Sequence, residues 1–351
     1  MLRDSLFFLL ICFPIFCFSE TSDFELLMGK ETELWQYVQT PEDQKRIDFF
    51  KKNFNQHISS LQLKTLKGKI PEVLHFIWLG PKDFPISSLE KIEKWIELHP
   101  NWTIKFWTDI NRAPPLKKMK KQLVEDFAFQ FLSDAYDQSD NFGEKAKILC
   151  YEILYQEGGV YIDHDVKPCS TLAPFNNALD FYCGLEKLGP SILSSSVYAA
   201  THLIAAKQGH PIMNEALVWL KDNWKKLEEA YPGQSKSAVK NRFAHRTLWA
   251  LNEGIDRKIG MEDSQRADIV FPSTYFSLAR RGASTIALHA HEGTWTRDDN
   301  DFETKMSGHI EEILSKNNES LKIVLLLSLG VLLSLTILFS FARTMRKSYE
   351  I

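Results

Sequence analysis

Two aspartates, separated by a single residue, lie at the end of a short apolar run. The stretch EGGVYIDHDVKP, residues 157–168, holds two glycines, the apolar residues of a buried strand and then Asp163, His164 and Asp165. Residues two apart on a strand face the same side, so both carboxylates are expected to face one ligand while His164 points away. Two carboxylate oxygens suit a hard divalent cation, Mn²⁺ or Mg²⁺, that bridges to phosphate. The alternative is that the pair only opens a surface turn, and the helix, double glycine and buried strand before it argue against this.

Alternating strands and helices are predicted to position this stretch. The apolar run at 73–79 and the segment 103–107 predict strands, and an amphipathic helix over 86–98 joins them. A helix over 145–157, ended by two glycines, leads into the strand VYID. The order predicts an α/β domain with a parallel sheet, whose ligands bind outside the carboxyl ends of the strands.

The other segments give weaker signals. Residues 20–69 predict two or three amphipathic helices that form a helical arm, and 109–141 predict a basic-then-acidic helical insertion. Short strands are expected at 179–183 and 268–271 and helices at 212–229 and 245–252. Together these segments predict one α/β domain over 70–300 behind a helical arm.

Composition excludes several classes of protein. The 351-residue chain is 44% apolar and 25% charged, with a net charge of -3, so nucleic acid is not an expected partner. Neither an H-E-x-x-H motif nor a nucleophile elbow is present, which argues against a secreted metal-dependent hydrolase. Three cysteines follow residue 19, without metal-type spacing, and are compatible with one disulfide and a free thiol: Cys150, Cys169 and Cys183.

Both ends of the chain predict membrane targeting. Residues 1–19 fit a secretory signal peptide, with an uncleaved signal anchor as the alternative. Residues 321–342 predict a single transmembrane helix, because the run 323–342 has no charged residue. The basic residues after it predict that 343–351 form a cytoplasmic tail. The body, followed by a juxtamembrane stalk at 301–320, is therefore expected outside the cytosol, in a lumen, the periplasm or the exterior.

The stretch LYQEGGVYIDHDV, residues 154–166, resembles the core of a known family. This is the DXD-containing glycosyltransferase family, which includes inositol-phosphoceramide mannosyltransferases and α1,4-galactosyltransferases and, more distantly, the large clostridial glucosylating toxins. Four further segments are similar, in order along 70–297: IPEVLHFIWLG, HPNWTIKFWTD, KQGHPIM and ALHAHEGTW. The resemblance implies a GT-A-type, Rossmann-like nucleotide-sugar-binding domain. It also implies transfer of a hexose from UDP-hexose or GDP-mannose, with retention, to a glycan, lipid or protein acceptor.

The resemblance also implies roles for individual residues. Asp165 would bind the metal directly, and Asp163 would contact the ribose, the sugar, or the metal through water. His289, or alternatively His291, would complete the metal shell. Five further residues would contact the nucleotide sugar or shape its site, the first beside the nucleotide and the last in the closing C-terminal segment: Trp78, Lys147, Gly159, Tyr161 and Trp295.

One position pair departs from the family pattern. The family carries an Asp and an Arg three residues apart in the helix before the glycines, where this chain has Lys147 and Cys150. Lysine reverses the charge, and cysteine supplies no guanidinium fork. Lys147 or Lys145 is a candidate phosphate contact, and Asp140 is a candidate replacement carboxylate. The sequence therefore leaves two hypotheses, an active transferase and a catalytically impaired relative that binds nucleotide sugar or a partner without turnover.

Overall fold

The computed structural model describes residues 23–62, 68–190, 194–233, 235–259, 266–277 and 285–292. The strands of this part are β1 Val73–Ile77, β2 Thr103–Thr108, β3 Lys120–Leu123, β4 Gly159–Ile162, β5 Val166–Pro168, β6 Phe181–Leu185, β7 Ala199–Ala206, β8 Asp268–Phe271 and β9 Ala287–His289. Within the described residues, seven strands form one sheet in the order β3-β2-β1-β4-β7-β6-β8, and β5 pairs with β9. The predicted α/β class is confirmed.

The sheet changes from parallel to antiparallel at β4. β1 pairs in parallel with β2 and β4, and β2 pairs in parallel with β3. β7 is antiparallel to both β4 and β6, so β6 runs in the same direction as β4. The carboxyl ends of β1, β2, β4 and β6 therefore meet at one edge, where ligands of open α/β sheets bind.

The helices surround this sheet. They are α1 Phe24–Met28, α2 Pro41–His57, α3 Leu89–Leu98, α4 Ser133–Gln138, α5 Phe142–Gln156, α6 Ala173–Ala178, α7 Pro211–Ala230, α8 Lys236–Phe243 and α9 Ala250–Lys258, with a π-helical stretch at Ala244–Trp249 between α8 and α9. α3 is the predicted crossover between β1 and β2, and its apolar face is buried. The arm is helical as predicted, and Asn53 of α2 donates to the Asp268 carbonyl at 2.8 Å, which holds the arm against β8.

The prediction of a helical insertion over 109–141 is wrong for most of its length. Lys120–Leu123 forms β3, which extends the sheet beside β2, and only a 3₁₀ turn at Val124–Asp126 and the short α4 are helical. Backbone pairing with the edge of β2 outweighs the helical pattern of the lysine-rich segment, and lysines are well tolerated on edge strands. The sequence also gave no signal for β7, because all of its residues are buried and none alternate with polar ones.

The glycines before β4 have the backbone conformation that the sequence predicts. Gly158 and Gly159 have φ of 68° and 101°. A Cβ on Gly158 would stand 2.7 Å from the Gln208 backbone nitrogen, and one on Gly159 would stand 2.8 Å from Nε2 of His75. Glycine is therefore required at both positions to bring α5 tightly onto the sheet.

Several predictions lie outside the described residues: the signal segment 1–19, the stalk 301–320, the helix 321–342, the tail 343–351, and Trp295. No helix among the described residues is long and apolar enough to cross a membrane. In the same part of the chain, Cys150, Cys169 and Cys183 are free thiols, so the single disulfide that the sequence left open is not formed.

Candidate active site

The two aspartates lie on a tight turn at the carboxyl end of β4. The strand ends at Ile162, and the Val166 amide donates to the Asp163 carbonyl at 3.1 Å. The strand alternation expected here is therefore absent, and the turn instead brings the carboxylates together. One oxygen of Asp163, one of Asp165 and one nitrogen of His289 lie within 4.8 Å of one another. As predicted, His164 faces elsewhere, with Nδ1 2.8 Å from the Ser88 hydroxyl.

Pairing of β9 with β5 brings in His289. Val166 of β5 pairs with His289, only one residue from Asp165. The ring nitrogen Nε2 of His289 stands 3.3 Å from Oδ2 of Asp165. The Glu292 amide donates to the same oxygen at 2.9 Å. A short ribbon thus places the C-terminal histidine predicted as a metal ligand beside the second aspartate.

Asp165 and His289 perturb each other's ionisation. Burial tends to raise the pKa of Asp165, but the His289 imidazole and the Glu292 amide hold it well below the usual range. Burial lowers the pKa of His289, yet the adjacent Asp165 carboxylate outweighs burial and raises it to about 9. At neutral pH the pair is thus a carboxylate facing an imidazolium, and a cation at this place would replace the imidazolium proton.

Asp163 faces a different partner, Lys147 of α5. The ammonium stands 2.8 Å from Oδ1 of Asp163 and also donates to the Thr201 carbonyl at 2.8 Å. The Tyr161 hydroxyl donates to the same Asp163 oxygen, and the ammonium lies 4.5 Å from the centre of the Tyr161 ring. The residue that reverses the expected charge therefore neutralises the first aspartate. Cys150, one turn later, is fully buried, and burial raises its pKa, so it is an apolar packing residue.

The other predicted nucleotide-sugar residues lie at different distances from this turn. Trp78, which follows β1, packs edge-on against His164 with ring centres 5.1 Å apart, and its indole donates to the Lys82 carbonyl at 2.9 Å. Gly159 begins β4, and four residues of strand separate it from Asp163 by about 13 Å. Gly159 is thus not brought to the turn, where it would meet the aspartates, and instead packs beside His75.

The sequence missed two residues at the same edge of the sheet. Glu186 directly follows β6, and its amide donates to the Tyr198 carbonyl at 2.9 Å. One carboxylate oxygen of Glu186, one nitrogen of His289 and one nitrogen of His291 lie within 4.8 Å of one another. His202 of β7 stacks on His289 with ring centres 4.4 Å apart. Two signals in the sequence point to these residues. His202 is a lone histidine inside an apolar run, and Glu186 is an acid directly after a strand.

A clamp fixes the segment that follows β9. Glu292 pairs with Lys91 of α3 at 2.5 Å and accepts from the Ser87 hydroxyl at 3.3 Å. Both partners come from the crossover between β1 and β2. The clamp therefore holds the segment over the Asp163–Asp165 turn.

The donors at the turn fit a divalent cation. Asp163 and Asp165 offer carboxylate oxygens, and His289 adds an imidazole nitrogen. The other ring nitrogen of His289, Nδ1, is buried and has no hydrogen-bond partner in the described residues. Mixed carboxylate and imidazole donors suit Mn²⁺, and carboxylates alone suit Mg²⁺. The side chains present are therefore compatible with the predicted ions.

Comparisons with known proteins agree with this site. Residues 85–184 match the model of the glycosyltransferase sugar-binding region containing a DXD motif. The chain is similar to inositol phosphoceramide mannosyltransferase 3 of Schizosaccharomyces pombe, at 28% identity over 160 residues that cover 46% of this chain and 38% of that protein. It is also similar to a mannosyl phosphorylinositol ceramide synthase of Saccharomyces cerevisiae, at 28% identity over 159 residues that cover 43% and 35%. The similarity thus spans less than half of each relative.

Among solved structures, the chain is similar to the PaToxG glycosyltransferase. The TM-score is 0.43 at 17% identity, over 62% of this chain and 78% of that chain.

Proposed function

We propose that this chain, whose residues 85–184 match the glycosyltransferase sugar-binding region containing a DXD motif, transfers a hexose from UDP-hexose or GDP-mannose to a glycan, lipid or protein acceptor. One observation carries the proposal. Asp163, Asp165 and His289, which come from a turn after β4 and from β9, offer three ligand atoms within 4.8 Å at the carboxyl end of the sheet. This is where a nucleotide sugar binds in an open α/β sheet.

The residues of the site would divide the work between them. Asp165 and His289 would hold the cation, with Asp163 as a third donor or as a contact to the sugar. When bound, Mn²⁺ or Mg²⁺ supplies positive charge for the diphosphate leaving group. Lys147 and Tyr161 fix the Asp163 carboxylate in one orientation. The segment after β9, which Glu292 holds against α3, would restrict access of water and so favour transfer over hydrolysis of the donor.

A nucleoside diphosphate leaves without a strong general acid. The paired carboxylates therefore position charge rather than protonate an oxygen, which differs from the acid and base pair of a glycosidase. We propose that the domain has the GT-A fold and retains the configuration of the sugar, as the family resemblance implies. Trp78, beside His164 near the turn, would lie next to the nucleotide.

The names of the curated relatives support mannose as the sugar and an inositol-containing sphingolipid as the acceptor. We also propose that a helix at 321–342 tethers the domain to a membrane, with the body outside the cytosol. This rests on the uncharged run and on the basic residues that follow it. A lipid acceptor would then lie in the membrane that carries the enzyme.

A second candidate function is binding of nucleotide sugar or of a partner without turnover. Two observations favour it: Lys147 occupies the Asp163 carboxylate, and the buried Cys150 stands where the family has a guanidinium. Retention of the fold and of the cation site would then serve recognition alone.

Donor hydrolysis separates these two functions. The purified full-length chain is incubated with Mn²⁺ and a panel of UDP-glucose, UDP-galactose and GDP-mannose, and nucleotide release and donor binding are measured. We expect release with at least one donor and its loss in Asp165→Ala. Asp126→Ala, which removes an exposed aspartate outside the site, serves as the matched control. Binding without release would establish the second function, and equal release by Asp165→Ala and the wild type would refute the first.

A further inference from the structure

A second group of ligand-type side chains lies beside the Asp163–Asp165 turn. Glu186 follows β6, and His289 and His291 flank the end of β9; we call these three residues the Glu186 cluster. Their ligand atoms lie within 4.8 Å of one another. The Glu186 cluster has only His289 in common with the group of Asp163, Asp165 and His289.

The distances in the Glu186 cluster are long for hydrogen bonds and suitable for a shared cation. Nε2 of His291 stands 3.6 Å from Oε1 of Glu186, and Nδ1 of His202 stands 3.7 Å from Oε2. Hydrogen bonds between such atoms are normally shorter than 3.2 Å. Two ligand atoms that bind the same tetrahedral Zn²⁺, each at about 2.1 Å from the ion, are about 3.4 Å from each other.

Several buried polar atoms of this region have no hydrogen-bond partner among the described residues. In the described part of the chain, Oε1 of Glu186, Nδ1 of His202 and Nδ1 of His289 are buried and have no hydrogen-bond partner. His202 is 2% exposed. Because Nε2 of His202 donates to the Phe276 carbonyl at 3.0 Å, Nδ1 is the ring nitrogen that lies beside the Glu186 carboxylate. Orphaned buried polar atoms are rare, and a bound ion is one of the few arrangements that satisfies several at once.

The backbone at His291 supports the same interpretation. His291 has a φ of 55°, the single positive value at a non-glycine residue in the described chain. This left-handed conformation is uncommon outside glycine, and strain of this kind concentrates at ligand sites. In this conformation Nε2 of His291 lies 3.6 Å from Oε1 of Glu186, which follows β6.

We propose that Glu186, His289 and His291 form a second cation site, beside the aspartates, for a borderline divalent metal of the Zn²⁺ class. One carboxylate oxygen and two imidazole nitrogens match the ligands that Zn²⁺ prefers, and three protein ligands leave a fourth position open. Nδ1 of His202 lies 3.7 Å from the carboxylate of Glu186.

His289 links the proposed site to the aspartates. A neutral imidazole has one lone pair, so His289 ligates one metal at a time. When Nδ1 of His289 binds the second metal, its Nε2 carries the proton and donates to Asp165, from which it stands 3.3 Å. This is the carboxylate–histidine–metal arrangement of zinc proteins. The second metal therefore competes with the aspartate-bound cation for His289.

Zinc titration of the metal-stripped full-length protein, without nucleotide sugar, tests the proposal. We expect Zn²⁺ binding by calorimetry to weaken at least tenfold in Glu186→Gln and in His291→Ala, and to remain in Asp163→Asn. Co²⁺ bound to the wild type should show the visible absorption bands of tetrahedral coordination, and these should be lost in Glu186→Gln. The matched control is Glu157→Gln, which makes the same change in an acid paired with Lys105, away from the turn.

Unchanged Zn²⁺ affinity and an unchanged Co²⁺ spectrum in Glu186→Gln would overturn the proposal, as would the absence of Zn²⁺ binding by the wild type. The Glu186 cluster would then be a structural group of side chains that binds no metal. The readout does not depend on sugar transfer. A chain that binds Zn²⁺ through Glu186 but releases no nucleotide would support this site while failing the proposed function.

Discussion

The two sides of the Asp163–Asp165 turn differ in how completely their polar groups are satisfied. On one side, the Asp163 carboxylate meets the Lys147 ammonium and the Tyr161 hydroxyl, and Lys147 also has the Thr201 carbonyl. On the other side, Asp165 lies beside His289, and orphaned acceptors follow at Glu186 and His202. The Lys147 side is thus a complete network of polar contacts, whereas the His289 side retains buried polar atoms that a bound cation would satisfy. The two aspartates of one short turn thus have unequal capacity to bind a cation.

This difference bears on Lys147, which the sequence suggests as a phosphate contact. Lys147 is 6% exposed, and its ammonium group donates to acceptors of the chain itself. To reach a phosphate it would have to leave Asp163. The phosphate contact stays a prediction, and the structure favours a role for Lys147 in holding Asp163 in place.

The largest expected effect compares the two aspartates directly. We expect Asp165→Asn to weaken Mn²⁺ binding at least 100-fold, because the buried carboxylate that faces His289 is lost, and loss of mere supporting groups already costs about 10- to 100-fold. Asp163→Asn should cost less than about tenfold, since Lys147 already neutralises Asp163. Calorimetric Mn²⁺ titration of both variants measures the ratio. Equal losses would show that the two sides of the turn do not differ.

Removal of Lys147 tests the side of the turn on which the polar groups are satisfied. In Lys147→Met the Asp163 carboxylate, whose side chain is 22% exposed, loses its partner. Breaking a fully buried pair costs about 3–5 kcal/mol, and partial exposure of Asp163 reduces the expected loss in unfolding free energy to about 2 kcal/mol. Urea unfolding measures this loss, and the double variant Lys147→Met with Asp163→Asn should recover part of it. No recovery would mean that Lys147 stabilises the protein through other contacts.

The pH dependence of cation binding tests the His289 side of the turn. Asp165 raises the pKa of His289 to about 9, so below that pH a cation that uses His289 must displace a proton. Affinity for Mn²⁺ should therefore rise with pH, about tenfold between pH 7 and pH 8. Burial lowers the pKa of His291 to about 3, so His291 adds no slope in this range. His289→Gln should flatten the dependence, and a flat profile in the wild type would exclude His289 as a ligand.

The sequence predicts the parts of the site that depend on local order along the chain. The strand before Asp163, the helix before the glycines and the β1–α3–β2 unit follow from periodicity and from Gly158 and Gly159, whose positive φ is needed where α5 meets β4. His289 required the family resemblance, because the pairing of β9 with β5 joins residues more than a hundred positions apart.

The rest of the site depends on antiparallel pairing that leaves no spacing in the sequence. Glu186 reaches His289 and His291 because β6 lies beside β7 and β7 beside β4. Lys147 reaches Asp163 across a helix and a strand, so the sequence shows a charge reversal while the fold shows an ion pair. A buried histidine is equally ambiguous in sequence. His75, with Nε2 2.9 Å from the Gly158 carbonyl and Nδ1 accepting from Trp107, is structural, whereas His202 adjoins the proposed metal site.

The smallest expected effect concerns the clamp that holds the segment after β9 over the His289 side of the turn. Lys91 and Glu292 are partly exposed, at 17% and 26%, so their pair contributes about 0.5–1 kcal/mol. Lys91→Ala should therefore weaken Mn²⁺ binding about threefold, because a looser segment weakens the hydrogen bond from the Glu292 amide to Asp165. Lys94→Ala removes an exposed pair with Glu97 on the same helix and is the matched control. Equal effects of the two variants would indicate a general charge effect, whereas a loss confined to Lys91→Ala would show that the clamp orients Asp165 toward the cation.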